Sequence, residues 1–294
     1  MLDRLDTFFG RFYEAEHLDW KASVSTITGQ VAKPGLLRWY GALGTDEAIR
    51  QKELTAEIGT EVHNYVHGFG KGINIEPEVW KTLCPETQNS LRAYVRFNQD
   101  HPMTVIDTER QIIGAFYAGT LYRVAQLGKK YILIDWKTGR SFYPEYDFQS
   151  AAYAKAWEQN TKLKISETWS VLLNRKTGNY ELRVNKDLKL AYKGFLGCYE
   201  ILKYGENFKN TLIKEILVET TPDLKIAFQR RDEIVQSGFK SFVRPVFGTK
   251  VEFAVFKGGN IIDKGLKFEV PAIGQDSPGQ EDQERGRNGI PDSD

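Results

Sequence analysis

The stretch from Tyr131 to Gly139, reading Tyr-Ile-Leu-Ile-Asp-Trp-Lys-Thr-Gly, limits the folds open to this chain more than any other. Four apolar or aromatic residues lead into an acid, a tryptophan, a base and a turn, the pattern of a buried strand with a reactive end. Side chains alternate along a strand, so Leu133, Asp135 and Lys137 share one face and Ile132, Ile134 and Trp136 the other. A carboxylate beside a lysine at this spacing can hold a divalent cation on one side and an attacking water on the other, as phosphodiester hydrolysis requires. The same two residues also suit an ordinary ion pair at a strand end.

Ahead of this strand, residues 45–67 repeat Leu54, Ile58, Val62 and Tyr65 or Val66 at helical spacing. Gly59, His63 and His67 lie four apart on one face of that helix, and the small residue leaves room for another element to approach His63. Two histidines so spaced supply only part of a metal's ligand set, or else are hydrogen-bonded helix residues. His67, beside Gly68 near the helix end, is the more structural of the pair. A second helix is expected over 85–98, with Leu91, Tyr94, Val95 and Phe97 covering a sheet. Residues 103–117 and 119–127 read as strands joined near Ala118 and Gly119, and with 130–137 they form an antiparallel meander. After a loop at 138–140, a helix over 144–160 places Gln149 and Tyr153 on one face, while Ala151, Ala152, Ala154 and Ala156 allow close packing on the sheet. A hairpin over 169–184, turning at 176–179, and a helix over 188–204 follow.

The flanks are less informative. Residues 1–20, with Phe8, Phe9, Phe12 and Tyr13, suggest a short packing helix or strand, and Pro34 can open a helix packed by Leu37 and Trp39. Residues 206–238 look helical. Residues 239–247 mix aromatics with bases, which suits a strand face or a single-stranded nucleic acid surface. Residues 250–256 and 261–270 read as a hairpin about Gly258-Gly-Asn. The expected organisation is a core over 1–205, a C-terminal extension over 206–274 and a disordered acidic tail over 275–294.

Composition removes several classes. A hydrophobic fraction of 41% and a charged fraction of 27% are those of a globular protein. The net charge of +1 divides into −4 over the last twenty residues and +5 over the rest, compatible with a phosphate-binding groove. Cys84 and Cys198 make neither a disulfide framework nor a zinc spacing. No signal-peptide pattern opens the sequence and no run of 18 apolar residues occurs, so a cytoplasmic protein without a membrane partner is expected.

In order, the chain presents a helix with His63, a strand with Gly119-Thr-Leu-Tyr-Arg123, a strand with Asp135-Trp-Lys137 and a helix with Gln149 and Tyr153. This order resembles the RecB-like branch of the PD-(D/E)XK nuclease superfamily, in particular its phage and mitochondrial-maintenance exonucleases, over roughly residues 23–160. Similar too are Val24-Ser-Thr-Ile-Thr28, Lys33-Pro-Gly-Leu-Leu-Arg-Trp39 and Phe116-Tyr-Ala-Gly-Thr-Leu121. The resemblance implies a restriction-endonuclease-like α/β core, a mixed central sheet with an antiparallel meander flanked by helices. It also implies a metal-dependent DNA exonuclease of phage or bacterial DNA recombination or processing, acting in the bacterial or phage-infected cell. By the resemblance, His63, Asp135 and the main-chain carbonyl of Trp136 would hold Mg2+ or Mn2+, and Lys137 would orient or activate the water. Gln149 and Tyr153 would brace the site and touch the DNA backbone. One residue departs from the pattern: Tyr122 stands where the family has a metal-bridging Asp, and a phenol is a poor substitute for a carboxylate. Acids that could compensate are Asp107, Glu109, Glu145 and Asp147, with Glu109, on the neighbouring strand, the first choice. The alternative is a nuclease-fold protein that has lost cleavage and binds DNA ends or single strands; a third reading treats the residues as ion pairs and caps.

Overall fold

The computed structural model describes residues 2–7, 10–16, 19–211, 216–237, 239–248 and 250–260. The chain opens with an antiparallel ribbon, β1 (Asp3–Thr7), β2 (Gly10–Glu16) and β3 (Asp19–Ser23), which buries Phe12, Trp20 and Ala22. Phe8 and Phe9 lie outside the described residues. Ser23 caps α1 (Val24–Thr28), its Oγ accepting from the Thr26 amide at 3.0 Å. Pro34 opens α2 (Pro34–Leu43), where a missing N–H leaves no bond unmade. No α2 residue is buried, and Leu37 is 74% exposed where packing was expected. Gly44, at φ +80°, turns the chain into α3 (Thr45–Gly70), a rod of about 39 Å. Ile58, Val62 and Val66 bury its inner stripe; Leu54, expected there, is 50% exposed. Next come α4 (Pro77–Thr82) and α5 (Pro85–Asp100); α5 buries Leu91, Tyr94 and Phe97 and leaves Val95 outside.

The period then changes to two. Strands β4 (Thr104–Ile113), β5 (Tyr117–Leu127) and β6 (Lys130–Lys137) form the expected antiparallel meander. The first turn falls at 114–116, where the Gly114 amide donates to the Tyr117 carbonyl at 2.8 Å, and not at Ala118 and Gly119, which pair within β5. Helix α6 (Pro144–Thr161) crosses over to β7 (Ile165–Leu173), parallel to β6, and β8 (Tyr180–Asn185) closes the hairpin. Parallel neighbours need such a crossover. The eight strands run β1-β2-β3-β5-β6-β7-β8, with β4 also on β5.

The alternation along β6 divides the core. Ile132, Ile134 and Trp136 pack with α3 and α5 residues on one side, and Leu133 packs with Ala152, Ala156 and Trp157 of α6 on the other. The fold is therefore mixed α/β, a mixed central sheet flanked by helices.

The C-terminal part differs from the sequence reading. Helix α7 (Leu188–Thr211) is followed by a strand, β9 (Ile216–Thr221), and only then by α8 (Leu224–Gln236), so 206–238 is not one helix. Strand β10 (Phe239–Phe247) pairs with β11 (Val251–Asn260) around Gly248, and the Gly258-Gly-Asn sequence expected as a turn lies within β11. The three strands form a second antiparallel sheet, β10-β11-β9, whose Phe253 meets Phe12 and Trp20 edge-on. Residues 261–270 of the expected hairpin and the tail at 275–294 lie outside the described residues.

Candidate active site

The β5–β6 ladder ends at the pair Arg123–Ile134. The next residues, Tyr122 and Asp135, stand where the two strands stop pairing. Asp135 is fully buried, and neither carboxylate oxygen accepts a directional hydrogen bond. Lys137 Nζ lies 2.8 Å from its Oδ2 in an ion pair. Burial raises the Asp135 carboxyl above its ordinary pKa against the pull of Lys137.

Lys137 connects the sheet to α6. Its ammonium donates to Gln149 Oε1 at 2.8 Å, Gln149 Nε2 donates to Tyr153 Oη at 3.2 Å, and the Tyr146 ring centre lies 4.5 Å from Nζ. Four of the residues singled out from the sequence thus form one chain of contacts: Asp135, Lys137, Gln149 and Tyr153. Gly119 makes room for it, because a Cβ there would lie 2.7 Å from Tyr153 Cε1.

Helix α3 brings His63 to the same place. The imidazole stacks on the Tyr122 ring, centroids 4.4 Å apart and planes 13° from parallel. Its Nδ1 is enclosed without a partner, and burial, then the charge of Lys137, lowers its pKa to about 4. A neutral imidazole with a spare nitrogen results, the form that ligates metals. Gly59 sits one turn earlier against Thr138, whose Oγ1 would be 3.2 Å from a Cβ at that position, as its small size implied. The charge that His67 feels is that of Lys71.

Of the four acids weighed as substitutes, three are engaged elsewhere: Asp107 with Arg110 at 3.0 Å, Glu145 with Lys33 at 3.0 Å and Asp147 with Arg183 at 2.6 Å. Glu109 makes no ion pair among the described residues. Between the pairs Thr108–Arg123 and Arg110–Leu121 it stands opposite Tyr122, with φ at +51°, a conformation that is strained for a residue with a Cβ. Burial first, and the Asp135 charge second, raise its pKa to about 7.

Two contributors were not read from the sequence. Tyr146 was legible in principle, since it shares a helix face with Gln149 and Tyr153 at spacings of three and seven. Arg123 was not: it is 4% exposed, donates to Asn98 Oδ1 at 2.7 Å and to Tyr94 Oη at 2.5 Å, and lies over the Tyr94 and Trp136 rings. It thus packs against the face of β6 that carries Trp136.

For a divalent cation the donors on hand are His63 Nδ1 and the Asp135 oxygens, all buried and lacking hydrogen bonds. Among the described residues no three His, Cys, Asp or Glu side chains gather into one ligand group. This set fits a cation that keeps several waters and takes part of its shell from a substrate phosphate, as magnesium does, rather than a closed protein cage. Manganese accepts imidazole more readily. Comparisons of the chain with protein-family models and with curated proteins find no match.

Proposed function

We propose that the chain is a divalent-metal-dependent DNA exonuclease that serves DNA recombination or processing, with Asp135, Lys137, Gln149 and Tyr153 as its working residues. The observation that carries this reading is the buried Asp135 carboxylate, ion-paired with Lys137 and met by no other donor among the described residues, at one end of the Lys137–Gln149–Tyr153 chain. A fully buried carboxylate is costly unless something meets its oxygens, and one ammonium is incomplete compensation for two oxygens. His63 and Asp135 would hold the metal, which supplies a more acidic water and charge neutralisation at the phosphate. Lys137 has three N–H donors; one goes to Gln149 while the ammonium stays ion-paired with Asp135, which leaves a donor for a phosphate oxygen or the attacking water. Gln149 keeps the ammonium from swinging away and is itself held by Tyr153, while the Tyr146 ring lies against the ammonium from the side of α6. Glu109 is the carboxylate best placed to do what Tyr122 does not.

End-labelled single- and double-stranded DNA, offered in magnesium and separately in manganese, tests the proposal. Asp135→Asn should lower cleavage by about a thousandfold, the several kcal/mol that a metal-held charge contributes, while circular dichroism stays unchanged. Cleavage by that variant at the native rate would refute the site. A second reading, DNA binding without cleavage, is favoured by the Tyr122 ring stacked on His63. Native protein that binds DNA in EDTA yet cuts in neither metal would establish it over the first.

A further inference from the structure

Helix α6 begins at a proline, which restricts the residue before it. Tyr143 precedes Pro144 with φ −128° and ψ 148°, the extended backbone that a following proline favours, and its carbonyl accepts from the Tyr146 amide at 3.0 Å. The two tyrosine rings of this turn meet edge to face, centroids 5.5 Å apart and planes 88° from each other. Tyr146 is half-buried between that contact and the Lys137 ammonium, whose Nζ lies 4.5 Å from its ring centre. Gly139 admits it from the loop, because a Cβ there would come 3.2 Å from the Tyr146 Oη. Tyr143, by contrast, is 42% exposed, and Tyr146 is its one ring contact among the described residues. An edge-to-face pair occupies at most one face of either ring, so Tyr146 leaves at least one face of Tyr143 uncovered.

The two contacts also locate this exposed ring. Spans of 5.5 Å and 4.5 Å, laid end to end, put the Tyr143 ring centre within 10 Å of Lys137 Nζ. One nucleotide bridges such a span, its phosphate at the ammonium and its base on the ring. The surroundings suit a polyanion. Both acids in the first turn of α6 are already matched, Glu145 by Lys33 at 3.0 Å and Asp147 by Arg183 at 2.6 Å, while the exposed Arg140 makes no ion pair among the described residues.

We propose that Tyr143 is a stacking platform for an unpaired DNA base, that of the nucleotide whose phosphate meets Lys137. This rests on the nuclease reading and names its substrate as a single strand or a frayed end. In a blunt duplex the corresponding base is covered on both faces by its neighbours and cannot reach the ring. Every base has a π-face, so the platform accepts any sequence. With its backbone set by Pro144 and its ring by Tyr146, Tyr143 needs little ordering on binding.

Fluorescence anisotropy of the full chain in EDTA tests the platform. The ligands are a labelled single strand, the same strand with one abasic nucleotide at successive positions, and a blunt duplex. Native protein should bind the single strand more tightly than the duplex and lose about tenfold in affinity at one abasic position. Tyr143→Ala should bind the intact strand about tenfold more weakly and be indifferent to that abasic position. Its duplex affinity and its slope of log affinity against log salt should stay native, since no phosphate contact is removed. Tyr143→Trp should restore both affinity and abasic response, whereas Tyr143→Leu, which fills space without an aromatic face, should restore neither. Native affinity in Tyr143→Ala, an abasic loss that persists in it, or equal affinity of native protein for strand and duplex would overturn the platform and leave the nuclease reading standing. Native protein without affinity for any of these DNAs, even at low salt, would overturn both.

Discussion

Tyr122→Asp probes why the ligand group is incomplete. The change removes a ring that stacks on His63 and packs against the α3 and α5 core, and it puts a carboxylate beside Asp135. Truncating a buried aromatic costs about 3–5 kcal/mol, of which roughly 1 kcal/mol is the stack. Repulsion between the new carboxylate and Asp135 adds to this, so without metal the variant should be less stable by at least about 3 kcal/mol. Divalent metal should then recover part of the loss: at a hundredfold excess over its Kd, a cation held only by the folded state contributes about 2.7 kcal/mol. The native chain, with a phenol at this position, should gain less than about 1 kcal/mol. Urea denaturation near neutral pH, in EDTA and in saturating magnesium or manganese, measures all four stabilities. Equal stabilisation of both proteins by metal would mean that the cation does not depend on this position. No stabilisation of Tyr122→Asp would mean that Asp135 and His63 hold no cation, and the reasoning from their unpartnered atoms would fail.

The low pKa of His63, about 4 against an ordinary 6.5, means that the unfolded chain takes up a proton that the folded chain refuses. Stability should therefore fall as pH drops from 6.5 towards 4, by about 2 kcal/mol from this group at about pH 5 in the absence of metal. His63→Phe should narrow the difference between urea midpoints at neutral pH and at about pH 5; an unchanged difference would place the effect elsewhere. Gly119→Ala sets a Cβ against the Tyr153 ring and should cost about 1–3 kcal/mol while breaking the Gln149–Tyr153 hydrogen bond. An unaltered denaturation midpoint would show that the ring yields freely.

The parts legible in the sequence are those where one physical rule dominates. Along β6 the alternation assigned each side chain to its face, because a strand buried on both sides leaves its residues no other arrangement. The small residue at Gly59 likewise marked a place where another element comes close, although the contact, Thr138, is made with Gly59 and was expected at His63. Where two rules compete, the reading failed. Gly119 looked like a turn, yet its lack of a side chain serves the Tyr153 ring, and Gly114 makes the turn instead. The Gly258-Gly-Asn sequence is a strong local turn signal, but pairing of β11 with both β9 and β10 keeps the chain extended through it. At the site, the absence of an acid at Tyr122 was visible, while its stack on His63 was not, since that contact joins a helix and a strand 59 positions apart. The isolation of Glu109 became apparent only once Asp107, Glu145 and Asp147 had been found paired.

The meeting of Phe253 with Phe12 and Trp20 bears on how the chain acquires its fold. The ribbon finishes its packing against a strand that is translated more than two hundred residues later. During synthesis, those aromatic faces wait through more than two hundred residues for their cover, and sequence separations of this kind slow folding. A ribosome-bound fragment stopped before β9 should consequently expose apolar surface and engage chaperones, even though every residue of the proposed nuclease centre has already emerged.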